Sequence, residues 1–157
     1  MLALSFTSCS GDDECNAVLE IPDASGSDIF AQDLDAIATY LEANDLPVNS
    51  TDSGLHFIIN EQGGPNSQGR LNPELCDEVN VDYRGYLLDG TVFDEGEGIT
   101  LSLMSVIRGW SEGIPLYSQG GSGTLIIPSY LGYGVRPPTP LIPVNAVLLF
   151  DIDLNSF

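Results

Sequence analysis

The chain has 157 residues, and 23 acidic residues against four basic ones give it a formal net charge of −19. The length fits one domain, and no stretch of the sequence approaches the roughly 18 apolar residues of a membrane-spanning helix. All four basic residues are arginines, which excludes a P-loop and lysine chemistry. A nucleic-acid binder is not expected either, because such proteins neutralise phosphates with clustered cations. The acidity predicts a well-solvated surface, or else adaptation to salty surroundings or attraction to cationic partners.

The first residues predict export from the cytoplasm. Residues 6–9 (Phe-Thr-Ser-Cys) resemble the lipobox of bacterial lipoproteins, in which the cysteine, here Cys9, becomes the lipidated N-terminus. We therefore expect residues 1–8 to be the tail of a lipoprotein signal that begins before this sequence; the alternative is an ordinary N-terminus. The acidic, Gly- and Ser-containing residues 9–28 predict a tether. The resemblance implies a bacterial cell-envelope protein, on the periplasmic face or the outer surface, that meets the membrane only through a lipid anchor.

Lipidation of Cys9 would leave two further cysteines, Cys15 and Cys76. In an exported protein these two could form a disulfide bond, or they could remain separate thiols, and the sequence leaves both open. There is no C-x-x-C pair and no cysteine–histidine cluster, so no metal site is expected.

An amphipathic helix and a strand are predicted in the first half of the chain. Apolar residues recur at three- and four-residue steps over Ile29–Leu41, as on one helical face, and Pro47 prevents the helix from continuing. Leu55–Ile59 has the alternating pattern of a strand. Glycines and prolines indicate a loop over residues 63–74.

The second half of the chain is rich in strand patterns. Asp89-Gly90 is a hairpin signal, and Trp110–Tyr117 could form a short helix that Pro115 would limit. Alternating apolar residues predict strands in the segments Val79–Arg84, Tyr86–Leu88, Thr91–Phe93, Ile99–Leu103, Thr124–Ile127 and Val147–Leu154. Antiparallel strands with one short helix make an α+β fold.

Two motifs that could carry other chemistry do not fit it. Gly109–Gly113 matches G-x-S-x-G, but a nucleophile elbow needs a histidine later in the chain. The single histidine, His56, lies upstream, so a hydrolase is not expected and His56 is expected on a solvated or partly covered strand face. Four acidic residues lie close together without the spacing of a calcium loop, and a surface loop is expected for them: Asp89, Asp94, Glu95 and Glu97.

Five segments of the sequence carry a family resemblance. They read VDYRG at 81–85, LDGTVFD at 88–94, VIRGWSEG at 106–113, IPSYLGYG at 127–134 and IPVNAVLLFD at 142–151. Through them residues 79–154 resemble the FKBP-type peptidyl-prolyl cis–trans isomerase domain, and residues 33–60 resemble the N-terminal part of its bacterial lipoprotein members. The resemblance implies a twisted antiparallel sheet, a half-barrel, wrapped around one short helix. It also implies a helical extension at residues 29–54 and an isomerase domain at residues 55–157.

The resemblance further implies a substrate pocket. Trp110 would be its floor, Asp94 would stand at the rim, and the hydroxyl of Tyr133 would donate a hydrogen bond to a substrate carbonyl, as would the amide of Ile107. The predicted catalytic residues are Asp94, Tyr133 and Trp110. The remaining predicted substrate-binding residues are Tyr83, Phe93, Ile99, Val106, Ile107, Ile142 and Phe150.

The implied reaction suits these residue types. Rotation about an X–Pro bond is opposed by amide resonance, a barrier of about 18–20 kcal/mol, and needs no nucleophile, metal or cofactor. An apolar pocket that binds the twisted amide better than the planar forms is sufficient. We expect an isomerase that acts as a monomer on proline-containing segments of exported proteins and binds no nucleic acid. The alternative is a catalytically weak peptide-binding or chaperone module on the cell envelope.

Overall fold

Five antiparallel strands form one sheet in the order β1-β4-β5-β2-β3. The computed structural model describes residues 18–21, 23–24, 26–47 and 49–157. The strands are β1 (His56–Glu61), β2 (Glu78–Leu87), β3 (Val92–Ser102), β4 (Ser122–Ile127) and β5 (Leu148–Ser156). The helices are α1 (Asp28–Ala43) and α2 (Arg108–Gly113), and two short 3₁₀ helices span Ile114–Leu116 and Ser129–Leu131. This is the α+β architecture that the sequence pattern predicts.

Helix α1 covers part of the outer face of the sheet. It begins after Ser27, whose hydroxyl caps the helix by accepting a hydrogen bond from the amide of Phe30 at 3.1 Å. The apolar stripe of the helix buries Ile37 and Leu41 against Ile126 of β4 and Leu149 of β5. Fully burying a side chain of this size contributes about 1.5–3 kcal/mol, so α1 is held to the sheet by its apolar face. The helix predicted from the periodicity is confirmed.

Helix α2 lies against the inner face of the sheet at unusually short range. A Cβ at Gly109 would lie 2.5 Å from Ile127, and one at Gly113 would lie 2.6 Å from Leu125. The two glycines are one helical turn apart, so they let one face of α2 approach β4 closely. Ser111 is buried, and its hydroxyl donates to the carbonyl of Leu103 at 2.6 Å. The G-x-S-x-G pattern is therefore a packing motif.

The helical segment changes character at Pro115, as expected. The α-helix ends at Gly113, and Pro115 lies within the following 3₁₀ helix, Ile114–Leu116. A proline lacks the amide donor that a continuing α-helix would use. The hairpin signal is also confirmed: Gly90 has a φ of +85° and the amide of Thr91 donates to Asp89 at 2.9 Å.

The acidic cluster departs from the expected surface loop. Asp94, Glu95 and Glu97 lie within β3, which runs without a break from Val92 to Ser102. Two irregularities in its pairing with β2 absorb the extra residues, as β-bulges do. The strand thus joins two segments that the sequence pattern separates.

In the described residues, no helix combines the length and apolarity needed to cross a membrane.

Candidate active site

A cavity of about 260 Å³ opens between α2 and the inner face of the sheet. Strands β2, β3 and β5 supply one side, the turn that leads into α2 supplies the second, and the segment after the 3₁₀ helix Ser129–Leu131 supplies the third. Its lining consists of Tyr83, Asp94, Leu101, Ser105, Val106, Ile107, Trp110, Tyr133 and Phe150.

Aromatic rings form the base of the cavity. Trp110 is 4% exposed and meets the rings of Tyr83 and Phe150 edge to face, each with ring centroids 5.1 Å apart. Phe93 supports Phe150 from behind in the same geometry, at 5.4 Å. Such edge-to-face pairs add to the stabilisation from burial alone. The indole N–H of Trp110 is buried and has no hydrogen-bond partner within the described part of the chain, so the base of the cavity is apolar except for one free donor.

Two phenols and one carboxylate supply further polar groups, at the rim of the cavity. The hydroxyl of Tyr83 donates to Oδ2 of Asp94 at 2.9 Å. Burial, followed by the bond to Asp94, raises the pKa of Tyr83 to about 12. Burial and then the charge of Asp94 raise the pKa of Tyr133. Both phenols are therefore protonated at neutral pH and can serve as hydrogen-bond donors beside one carboxylate.

The local sequence explains how α2 presents the cavity residues. Ile107 is the residue before the helix and has extended backbone angles, φ −60° and ψ 149°. Its carbonyl accepts from the amides of Trp110 and Ser111, at 2.9 and 3.2 Å. The chain therefore turns sharply between Val106 and Arg108, which leaves Val106 and Ile107 at the mouth of the cavity and Trp110 at its base.

The structure brings most of the predicted site residues together. Seven of them line the cavity: Tyr83, Asp94, Val106, Ile107, Trp110, Tyr133 and Phe150. Three predicted substrate-binding residues lie outside this lining. Phe93 stands behind Phe150, Ile142 is 4% exposed within the main core, and Ile99 projects from β3 at 38% exposure.

Two lining residues were not predicted. Leu101 belongs to an alternating strand pattern that does not say which face meets a cavity, and nothing in the sequence distinguishes Ser105.

Of the predicted cysteine sites, Cys9 and Cys15 lie outside the described residues. Cys76 is disulfide-bonded. Among the described residues, no group of three or more His, Cys, Asp or Glu side chains is arranged to hold a metal ion.

An open antiparallel sheet around a short helix, with a tryptophan at the base of an aromatic cavity, defines an α+β domain with one apolar cavity between its helix and its sheet. The family model of the FKBP-type peptidyl-prolyl cis-trans isomerase matches residues 69–155. The chain belongs to this family.

Relatives and a solved structure support the assignment. The chain is 42% identical over 111 residues to a probable FkpA isomerase of Neisseria meningitidis, and this alignment covers 68% of the chain and 39% of the Neisseria protein. It is 37% identical over 157 residues to FkpA of Aeromonas hydrophila, which covers 91% of this chain and 56% of that one. A crystal structure of a peptidyl-prolyl cis-trans isomerase from Pseudomonas syringae superposes with a TM-score of 0.67 at 28% identity, over 80% of this chain and 93% of that one. The predicted fold class is confirmed, and the chain spans roughly half the length of these curated relatives.

Proposed function

We propose that this chain is a peptidyl-prolyl cis–trans isomerase that accelerates rotation about X–Pro bonds. The observation that carries the proposal is the base of the cavity, where Trp110 lies between the rings of Tyr83 and Phe150 at 5.1 Å from each. A flat apolar surface with aromatic walls suits a pyrrolidine ring. Family membership and the apolar cavity support the same activity.

The geometry accounts for catalysis without covalent chemistry. A twisted amide loses its charge-separated resonance form, so it is less polar than either planar isomer and is favoured in an apolar cavity. The phenol of Tyr133 holds a substrate carbonyl, while the carboxylate of Asp94 stands at the rim, fixed by Tyr83. Lowering the barrier by about 4 kcal/mol would accelerate rotation roughly a thousandfold.

A peptide isomerisation assay tests this function. Cis–trans exchange of a short Xaa-Pro peptide should be faster with micromolar protein than in buffer, and Trp110→Ala or Asp94→Val should abolish most of the acceleration. Asp153→Val is the matched control, because Asp153 is an exposed residue of β5 outside the cavity lining. Circular dichroism verifies that each variant is folded. Peptide binding without acceleration by the wild type would instead favour a catalytically weak binding or chaperone module.

We further propose that the protein serves exported polypeptides from a lipid anchor on the cell envelope and acts as a monomer. The lipobox-like residues 6–9 and the acidic tether that follows them support the anchor. The disulfide-bonded state of Cys76 supports an oxidising compartment, and Cys15 is the proposed partner. One acyl chain binds a membrane only marginally, so stable attachment needs more than one.

Two measurements separate these proposals. With a full-length precursor, Cys9→Ala should move the protein from the membrane fraction to the soluble fraction, and an unchanged distribution contradicts lipidation. Peptide mapping of the unreduced protein should recover a Cys15–Cys76 cross-link. Recovery of Cys76 joined to Cys9 would contradict both the pairing and the anchor, because the lipidated cysteine has no free thiol.

A further inference from the structure

A buried carboxylate on α1 contacts a residue that lies 96 positions later in the chain. Asp33 is 5% exposed. Its Oδ2 atom accepts two hydrogen bonds from Ser129, one from the backbone amide at 2.8 Å and one from the hydroxyl at 2.7 Å. A buried carboxylate is costly unless donors satisfy it. These two bonds are therefore a built contact between α1 and the 3₁₀ helix Ser129–Leu131.

Ser129 transmits that contact to the cavity. Its carbonyl accepts hydrogen bonds from the amides of Gly132 and Gly134, at 3.0 and 2.9 Å. These two glycines flank Tyr133, whose side chain lines the cavity. One residue thus binds Asp33 through its amide and hydroxyl and fixes both neighbours of Tyr133 through its carbonyl.

The connection between α1 and β1 contacts the helix that carries Trp110. The hydroxyl of Ser53 lies 2.8 Å from both carboxylate oxygens of Glu112, two residues beyond Trp110 on α2. In addition, the ring of Phe30 packs on that of Tyr130 at 5.4 Å. The two elements that supply the base of the cavity and its tyrosine donor are therefore both held from the N-terminal side.

We propose that Asp33 is a positioning residue of the active site: through Ser129 it sets the place of the Tyr133 hydroxyl in the cavity. What α1 contributes to the active site is then this one carboxylate, while its apolar face, with Ile37 and Leu41, only attaches the helix to the sheet. This inference rests on the proposed isomerase function. Loss of the Asp33 carboxylate frees the Ser129–Gly134 turn to shift, and the Tyr133 hydroxyl loses its alignment with the substrate carbonyl.

The test compares four variants of the full chain in the peptide assay. Asp33→Ala should lower kcat/KM about tenfold. Asp33→Asn should retain most of the activity, because both hydrogen bonds end on one oxygen, which an amide oxygen can replace. Leu41→Ala is the matched control: it removes a buried contact between α1 and the sheet but leaves Asp33 and Ser129 in place, and should retain wild-type kcat/KM. In a Tyr133→Phe background, Asp33→Ala should add little further loss.

Several results would overturn the inference. They are full activity in Asp33→Ala, an equal loss in Leu41→Ala, or an undiminished effect of Asp33→Ala when Tyr133 is already Phe. If Asp33→Ala does not fold, Ser129→Ala carries the test, since it removes only the hydroxyl bond. That variant should lose about threefold, and no loss contradicts the proposal.

A readout that needs no turnover separates this inference from the proposed function. In protein with ¹³C-labelled tyrosine rings, the Tyr133 resonance, assigned by its absence in Tyr133→Phe, should shift in Asp33→Ala and stay in place in Leu41→Ala. An inactive wild type that still gives this pattern refutes the proposed function and supports the positioning contact. An active wild type in which Asp33→Ala leaves the Tyr133 resonance unmoved refutes the positioning contact alone.

Discussion

The hydroxyl of Tyr83 donates a hydrogen bond of 2.9 Å to Oδ2 of Asp94, across the β2–β3 hairpin. The same ring of Tyr83 packs edge to face on Trp110. One side chain therefore contributes both a wall of the cavity and the donor that orients the carboxylate at its rim. The orientation of the Asp94 carboxylate, and so the place of its negative charge, depends on this hydrogen bond with Tyr83.

Removing this hydrogen bond should slow catalysis. We expect Tyr83→Phe to lower kcat/KM about three- to tenfold in the peptide assay, because the wall remains while the carboxylate loses the donor that orients it. A hydrogen bond to a charged group is worth about 1.5–3 kcal/mol. Exposure at the rim reduces the effect below that range, to about 0.7–1.4 kcal/mol, which corresponds to a three- to tenfold loss. Tyr83→Phe combined with Asp94→Asn should lose less than the product of the two single effects.

The chain offers a matched control for this change. Tyr86 also lies on β2 and donates to an aspartate, Asp151, at 3.1 Å, but neither residue lines the cavity. Tyr86→Phe should leave kcat/KM at the wild-type value. Equal losses in Tyr83→Phe and Tyr86→Phe would mean that the Tyr83–Asp94 bond has no specific part in the reaction.

The tyrosines should also make the fold sensitive to alkali. Burial raises the pKa of Tyr130 to about 12, and burial with the bond to Asp94 does the same for Tyr83. In the unfolded chain a tyrosine titrates near pH 10, so the unfolded state releases its protons first. The stabilising contribution is complete below pH 10 and is lost as the pH rises towards 12.

Urea unfolding at a series of pH values measures this effect. The free energy of unfolding should fall between pH 10 and pH 12. Tyrosinate absorbance at pH 11 gives an independent check, since each of the six tyrosines of the chain should be mostly ionised in urea, whereas fewer of them should be ionised in the folded protein. A level stability profile over this range contradicts the raised pKa values.

Local pattern was sufficient for the elements and insufficient for the contacts between them. The apolar stripe of α1 and the Asp89-Gly90 turn follow from rules about neighbouring residues, and the structure has both. The bond between Asp33 and Ser129 joins residues 96 positions apart, and no periodicity relates them. In the sequence, nothing distinguishes Asp33 from the other acidic residues of its helix. Its contact with Ser129 exists only in the folded chain.

The cavity shows the same division. Its residues were identified through family resemblance, which transfers positions but not the shape of the cavity in this chain. Ile99 and Ile142 illustrate the difference. The bulged pairing of β2 and β3 leaves Ile99 on an exposed part of β3, while Ile142 is buried in the core. Bulges and loop packing depend on the whole sheet, so neither outcome could be obtained from the strand pattern.

The aromatic cluster should not tolerate an added methyl group at Gly85. A Cβ there would lie 2.6 Å from the ring of Phe93 and 2.7 Å from that of Phe150, and the two rings pack edge to face on each other, so both would have to shift. We expect Gly85→Ala to lower the free energy of unfolding by about 1–3 kcal/mol, as overpacking does. It should also reduce kcat/KM, because Phe150 lines the cavity.

Gly64→Ala is the control for that change. A Cβ at Gly64 would have open space around it, and its backbone lies outside the left-handed region. Urea unfolding should find this variant within about 0.5 kcal/mol of wild type. If Gly85→Ala is equally harmless, the aromatic rings are not held as tightly as their contacts imply.

The phenol of Tyr117 should contribute to the attachment of β1. Tyr117 is fully buried, and its hydroxyl donates to the carbonyl of Ile58 on β1 at 3.0 Å. Tyr117→Phe keeps the ring and removes one neutral hydrogen bond, so we expect the free energy of unfolding to fall by about 0.5–1.5 kcal/mol. Because β1 is an edge strand, amide hydrogen exchange should quicken in β1 before it quickens in β5. Uniform acceleration across the sheet would place the loss in the core as a whole, and unchanged stability would show that solvent satisfies the Ile58 carbonyl equally well.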